Sequence, residues 1–306
     1  MMKKIFAKEI IDYLKSQEIR VEVKGNEEAW IDGCSSLNML TEKKISWVKY
    51  WTEEAAKKLE GKKENIIVGR FLDAAEPKDG NCHILCEEPK MCFFMILNNF
   101  FVEESTRKVS ETAAVRTTKI GGGCSIGEFS VLGEEVIIGN NVTIGNHVIL
   151  QGKVTVGNYC VIESGTVIGK SGFGFYQNQA GHLERVPHLG GVIIGDYVEI
   201  GANTCIDCGT MDDTIIGDYC KIDNLCNIGH NVRLGQDVTV IQGTEICGSC
   251  VIGDGCYLSP GTVIKNQTHI GENCFIGMQT VVIKDVAPDS SVFGVPARPF
   301  KRSYVV

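Results

Sequence analysis

A histidine and an asparagine stand together at 230 and 231, in CNIGHNV, where a six-residue repeat elsewhere carries bland polar residues after its glycine. A neutral imidazole accepts a proton near neutral pH, so His230 has the chemistry of a general base. Asn231 beside it is a candidate substrate contact. Carboxylates suited to orienting the ring are Asp223, seven residues earlier, and Asp212 and Asp213. Two further histidines, His182 and His188, fall in the stretch KSGFGFYQNQAGHLERVPHLGG at 170–191, together with Phe173 and Phe175, and all four are candidates to touch a ligand. His147 and His269 sit at repeat positions away from any break, and His83 belongs to the N-terminal part. Two C-x-x-C pairs, Cys205/Cys208 and Cys247/Cys250, have the spacing of a zinc site. The repeat turns Cys250 inward, however, and no metal site is expected.

The repeat must position these groups. Aliphatic residues recur every six positions from Ile120 to Ile168, from Ile194 to Ile206 and from Ile216 to Val282, making 24 hexads. The next residue is often glycine, and the fifth of each hexad is small. A period of six fits neither a helix nor a flat half-buried strand, but it fits a left-handed parallel β-helix of the hexapeptide class. Three hexads close a triangular turn, which predicts about eight turns. The aliphatic residue points inward, the glycine relieves the bend and the small residue fills the remaining space. Cys124, Cys160, Cys220, Cys226, Cys250, Cys256 and Cys274 occupy the small position and read as core fillers.

The rhythm breaks twice. Twenty extra residues follow Ile168 and four follow Ile206, in each case after whole turns. Both insertions therefore leave from one corner, and His230 lies on that corner one turn further along. A long loop on a rigid scaffold is a usual seat of function, so 170–192 reads as a flap beside His230. Asp223 is one side of the triangle away, roughly 15–20 Å at strand rise. The two can meet only across a subunit boundary, which points to a site between chains.

Residues 1–108 lack the rhythm and read as a small α/β domain. It has helices near 5–16 and 52–60, a strand at 65–71 and an apolar segment at 91–101 whose Met and Phe residues read as core. The β-helix then spans 109–290, and a tail at 291–306 carries the basic Arg298, Lys301 and Arg302. A net charge of -8 is the wrong sign for a phosphate-backbone binder, so nucleic acid is not an expected partner. No apolar run approaches the roughly 20 residues of a membrane span. Glu9 and Asp12 interrupt the apolar N-terminus, which reads as an amphipathic helix rather than a signal peptide, and the expected location is the cytoplasm.

The run GVIIGDYVEIGANTCIDCGTMDDTIIGDYCKIDNLCNIGHNV at 191–232, with GKSGFGF and GVPARP, resembles the LpxD family, the UDP-3-O-acylglucosamine N-acyltransferases of lipid A synthesis. More loosely, IDGCSSLNMLTEKKISWV at 31–48 resembles that family's uridine-binding domain. The resemblance implies a homotrimer with sites between adjacent β-helices and no permanently bound cofactor. It also implies transfer of an acyl group from a phosphopantetheine thioester, acyl-CoA or acyl carrier protein, to the amine of a nucleotide-linked amino sugar. It places the catalytic histidine on His230, its aspartate on Asp223 and the oxyanion amide on Gly248. The uracil-stacking aromatic falls on Trp47, with Tyr50 or Trp51 as a second, and the family's second histidine falls on Gln267. The family's carrier-protein helices have no counterpart before Val306, which leads to the expectation that a short acyl-CoA is accepted. An acetyl-CoA-dependent sugar N- or O-acetyltransferase of surface polysaccharide synthesis and a trimeric scaffold or binding protein are the competing readings.

Overall fold

The six-residue rhythm folds as a left-handed parallel β-helix, seen in a computed structural model that describes residues 4–70, 79–102 and 108–299. Contacts divide the chain into two units, Met1–Ser105 and Thr106–Val306.

In the second unit three flat walls run the length of the coil. One has nine strands, from Ala114–Val115 to Val281–Val282. Another has ten, from Ser125–Ile126 to Ser291–Phe293, the last joined by antiparallel Arg298–Pro299. The third has seven, from Ile137–Ile138 to His269–Ile270, and single bridges to Ile120 and Val286 extend it at its two ends. The coil thus has nine levels, not eight. The extra level comes from Val115, Val286 and Val292: Val115 lies five residues before Ile120 and Val286 four after Val282, so the rhythm of six is lost at both ends. Stacked partners lie eighteen residues apart, as Leu132, Leu150 and Ile168 do, and the inward aliphatics of all three walls form one continuous buried column. Each fully buried Ile or Leu contributes about 1.5–3 kcal/mol.

The corners correct the role of the glycines. The left-handed residue lies two places after the glycine, for example Asn141 at φ 56° and Asn231 at φ 59°. Glycine is needed because turns touch. A Cβ on Gly139 would lie 2.6 Å from the Gly157 carbonyl carbon, and one on Gly229 would lie 2.7 Å from the Gly248 nitrogen.

The small inward position also has more to do than fill space. Its polar residues satisfy corner carbonyls of the next turn. Ser130 Oγ donates to Gly145 O at 2.8 Å, and the thiols of Cys220, Cys250 and Cys256 reach the Gly235, Lys265 and Gly271 carbonyls at 3.0, 3.1 and 3.0 Å. A cysteine here is a compact apolar group with a weak donor, which Val148 at the same position is not. Of the seven repeat cysteines all but Cys124 are buried, and all fourteen cysteines are free thiols.

The first unit is built on a five-stranded sheet ordered Glu22–Gly25, Cys82–Cys86, Ile66–Arg70, Lys44–Val48, Gly33–Cys34, with only the first pair antiparallel. Alternation along Ile66–Arg70 splits its side chains. Ile66 and Val68 join a core with the helices Ala7–Ser16 and Pro89–Phe100, while Ile67 joins a smaller one with the helix Glu53–Leu59. In Pro89–Phe100 only Cys92, Phe93 and Ile96 of the apolar segment's residues are buried. Met91 and Phe94 are exposed within this unit, because helical spacing puts them off the sheet-facing stripe. Among the described residues no helix is long and apolar enough to cross a membrane.

The buried thiols set an alkaline limit on stability. Burial pushes Cys220 from the ordinary 9.0 up to about 11 and Cys256 up to about 12. Above pH 9 the unfolded chain loses these protons first, so it binds fewer than the native state and stability must fall with rising pH. Thermal melts should therefore show full stability up to about pH 9 and a falling Tm from there towards pH 11, and Cys220→Val should flatten that fall.

Candidate active site

The two insertions and His230 share one corner of the coil. Strands Val167–Ser171, Cys205–Cys208 and Asn227–Ile228 are consecutive in one wall, and the long insertion, the short insertion and Gly229–His230–Asn231 follow them in turn. At the base of the long insertion Lys170 pairs with Asp207, whose side chain is buried. The insertion then forms a hairpin of Phe175–Gln177 with Leu183–Arg185. Its return limb, 186–190, hooks onto the short insertion. Leu189 N–H donates to Thr210 O at 2.7 Å and Gly190 N–H to Gly209 O at 3.1 Å.

That short insertion holds Asn231, and Asn231 holds His230. Thr210 donates to Asn231 Oδ1 twice, from its N–H and from its hydroxyl, both at 3.0 Å, while Asn231 Nδ2 donates to Asp212 O at 2.9 Å. A backbone N–H can only donate and a carbonyl can only accept, so the amide has one orientation. Its oxygen faces His230 Nδ1 at 3.1 Å. The imidazole proton therefore sits on Nδ1, and Nε2 keeps its lone pair.

Nε2 lies directly over Gly248. In this corner the glycine is displaced by one place: Cys247 follows Ile246, and Gly248 occupies, one level on, the position equivalent to His230. A Cβ on Gly248 would lie 2.6 Å from His230 Nε2. Among the described residues no hydrogen bond engages the Gly248 N–H, nor the equivalent His230 N–H of the same corner, whereas those of Asn140, Asn158, Asp196 and Gln236 in another corner donate to Asn or Asp side chains of the next turn. A bare lone pair and a bare N–H thus adjoin each other, a base next to a donor for developing negative charge.

The other residues singled out in the sequence fall in different places. Asp223 stands at the opposite end of the strand Asn227–Ile228, where its carboxylate accepts from Asn224 N–H at 2.7 Å and Gln242 N–H at 3.2 Å, beside Glu163, Glu199 and Lys221. Within the chain the ring's orienter is Asn231, and neither Asp212 nor Asp213 touches His230 with its carboxylate. Asp213 instead accepts from Gly191 N–H at 2.6 Å. Gln267 is exposed two levels beyond Asn231 in the same corner column, its N–H on Gly248 O at 3.0 Å. Phe173 is exposed and meets Phe175 edge-on at 4.9 Å, and the Arg185 guanidinium covers Phe175 at 5.1 Å. His182 is exposed at the hairpin turn, away from the corner.

His188 is close to the corner: its ring meets that of His230 edge-on, with centroids 5.3 Å apart. The sequence singled it out only as one residue of the flap, since nothing in its spacing ties it to His230. In the first unit Trp47 packs half-buried against Phe93, with centroids 6.4 Å apart, and Tyr50 is exposed with Lys49 above its ring. Trp51 lies across Gly69, donates to Arg70 O at 3.0 Å and meets the buried His83 at a tilt, with centroids 5.2 Å apart, and it packs against the smaller core. Among the described residues no three metal-binding side chains converge, and of the tail's basic cluster Lys301 and Arg302 lie outside them.

Comparison with known proteins bears on the second unit. Models of the bacterial transferase hexapeptide and of the hexapeptide repeat of succinyl-transferase match residues 117–152 and 135–170, and residues 227–260 and 267–283, respectively. A UDP-3-O-acylglucosamine N-acyltransferase of Caulobacter sp. (strain K31) is 42% identical over 139 residues, 45% of this chain and 41% of that one. A second, from Legionella pneumophila (strain Lens), is 50% identical over 90 residues, 29% of this chain and 26% of the relative. This chain resembles the LpxD family. The alignments span about two-fifths or less of these relatives' length. A crystal structure of a UDP-N-acetylglucosamine acyltransferase superposes with a TM-score of 0.57 at 27% identity, covering 63% of this chain and 73% of that one. The Campylobacter jejuni UDP-N-acetylglucosamine acyltransferase, at 22% identity and a TM-score of 0.56, shares the fold.

The proton position is directly measurable. Nitrogen-15 spectra of neutral His230 should show Nδ1 protonated and Nε2 bare, the less common tautomer of free imidazole. Asn231→Gly, which tolerates the left-handed backbone, should return His230 to the common Nε2–H form with little change in Tm. An Nε2–H signal in the wild type would contradict the geometry.

Proposed function

We infer that this protein is an N-acyltransferase that moves an acyl group from a phosphopantetheine thioester to the amine of a UDP-linked amino sugar. The observation that carries this reading is the bare Nε2 of His230, oriented by Asn231 and set against Gly248, where a Cβ would lie 2.6 Å from it. The amine nitrogen attacks the thioester carbonyl, His230 Nε2 takes a proton from it, and the Gly248 N–H holds the oxyanion. As the carbon–sulfur bond breaks, the proton passes from His230 to the departing thiolate, so the imidazole returns neutral. Neither acyl-CoA nor acyl carrier protein has to be permanently bound, since both present the same thioester. The resemblance to LpxD supports the sugar and the donor class, and both substrates belong to the cytoplasm.

The 170–192 flap would cover the reacting groups, with Phe173 and Phe175 against the substrate. By the family resemblance alone, Trp47 and Tyr50 are assigned to uracil stacking. Asp223 is one wall away from His230 in its own chain, so its part in the reaction requires a neighbouring subunit, and a homotrimer in which Asp223 of one chain faces His230 of the next meets that need.

His230→Ala should cost at least about a hundredfold in kcat, with Tm unchanged, because general-base contributions run about 10²–10⁴-fold. Near wild-type turnover on UDP-amino sugars with acyl-CoA and acyl-carrier-protein donors would sink the assignment. Mixed trimers of His230→Ala and Asp223→Ala chains should regain part of the activity that each variant lacks alone. Verified mixed trimers that remain dead would remove Asp223 from the shared site.

A further inference from the structure

The mechanism leaves His188 without a task, yet its ring is set as deliberately as that of His230. His188 Nδ1 lies 2.9 Å from Val186 O. A carbonyl only accepts, so Nδ1 carries the proton and Nε2 carries the lone pair. That Nε2 is shielded from solvent and has no hydrogen-bond partner among the described residues. An unpaired buried acceptor costs about 1–3 kcal/mol. The nitrogen borders Gly172, where a Cβ would lie 2.9 Å from it and 3.0 Å from His230 Cδ2, the ring carbon bonded to His230 Nε2. Two imidazoles, both protonated on Nδ1, thus adjoin one glycine, His188 through its bare Nε2 and His230 through its Cβ and Cδ2, with ring centroids 5.3 Å apart.

Two acceptors on adjoining rings fit one kind of nucleophile. An amine presents two N–H bonds as it attacks a carbonyl, and a hydroxyl presents one O–H. Resting on the acyl-transfer reading above, we propose that His188 is a substrate-positioning residue. Its Nε2 accepts the amine N–H that survives in the amide product while His230 Nε2 removes the other proton, and the pair selects an amine over a hydroxyl. The N–H held by His188 grows more acidic as nitrogen bonds to carbon, so the contact strengthens toward the transition state and acts mainly on kcat. A hydroxyl gains nothing from His188, because its single proton goes to His230. The backbone of Gly172 and Gly174 covers the His188 ring, and this two-glycine segment has to lift for the amine to reach Nε2.

The test compares the full-length wild type, His188→Leu and His188→Gln on UDP-glucosamine and UDP-glucose, with acyl-CoA and acyl-carrier-protein donors. His188→Leu should lose about tenfold or more of kcat/KM on UDP-glucosamine, mostly in kcat, since one buried hydrogen bond is worth about that factor. Its rate on UDP-glucose should not fall, and His188→Gln should recover part of the loss through its amide oxygen. A His188→Leu enzyme within twofold of wild type on the amine overturns the proposal, as does an equal loss on both sugars or a glutamine variant no better than leucine. Calorimetry without a thioester reads the same contact apart from turnover. Wild type should bind UDP-glucosamine more tightly than UDP-glucose, and His188→Leu should lose that margin; an unchanged margin also overturns it. A wild type that binds both sugars yet acylates neither would instead refute the acyl-transfer reading.

Discussion

Successive turns of the coil rest on one another's backbone at distances that exclude a single methyl group. Gly139 against Gly157 and Gly229 against Gly248 show the constraint directly. Because the turns are this close, the chain bends through a left-handed residue two places later, where Asn recurs at 141, 203, 231 and 273 and Tyr stands at 159, 197 and 219. The same spacing stacks every aliphatic on the one eighteen residues earlier and gives small inward Ser, Thr and Cys a corner carbonyl to satisfy. Core, walls and corners all follow from one contact repeated without a side chain.

The candidate site is a local departure from that rule. At Gly248 the glycine moves one place along, and the space that a Cβ would have filled receives the His230 ring. The two insertions open the corner above it and then tie themselves together, from the flap's return limb to Thr210, to Asn231 and to the ring. Polarity is settled along this path by groups that have no choice: a backbone N–H at Thr210, a carbonyl at Asp212 and a carbonyl at Val186. Two imidazoles end with their protons on Nδ1 and their lone pairs on Nε2. That arrangement owes nothing to neighbouring charge.

Much of the architecture could be read from periodicity, because a hexad aliphatic is buried by a purely local rule. The lengths of the two breaks placed both insertions and His230 on one corner, since only whole turns return to the same edge. What escaped was non-local or off the beat. The ninth level is made up at the two ends, where Val115 lies five residues before Ile120 and Val286 four after Val282. The glycine's role was misjudged because bend and close approach leave the same residue in a sequence, and only φ separates them. Asn231 was seen beside His230, but its work as orienter depends on Thr210 and Asp212, which a four-residue insertion brings back across the corner. Asp223 carried the family's pattern yet stands at the far end of a strand.

In a coil each level touches only the levels on either side of it, so cohesion is passed along the stack and the two ends, with a neighbour on one side only, loosen first. The wall that carries the corner has nine strands. The three from which the long insertion, the short insertion and His230 depart are the fourth, fifth and sixth. The candidate site thus occupies the middle of a one-dimensional stack. Breathing that would cost an end turn its register leaves the geometry around His230 intact.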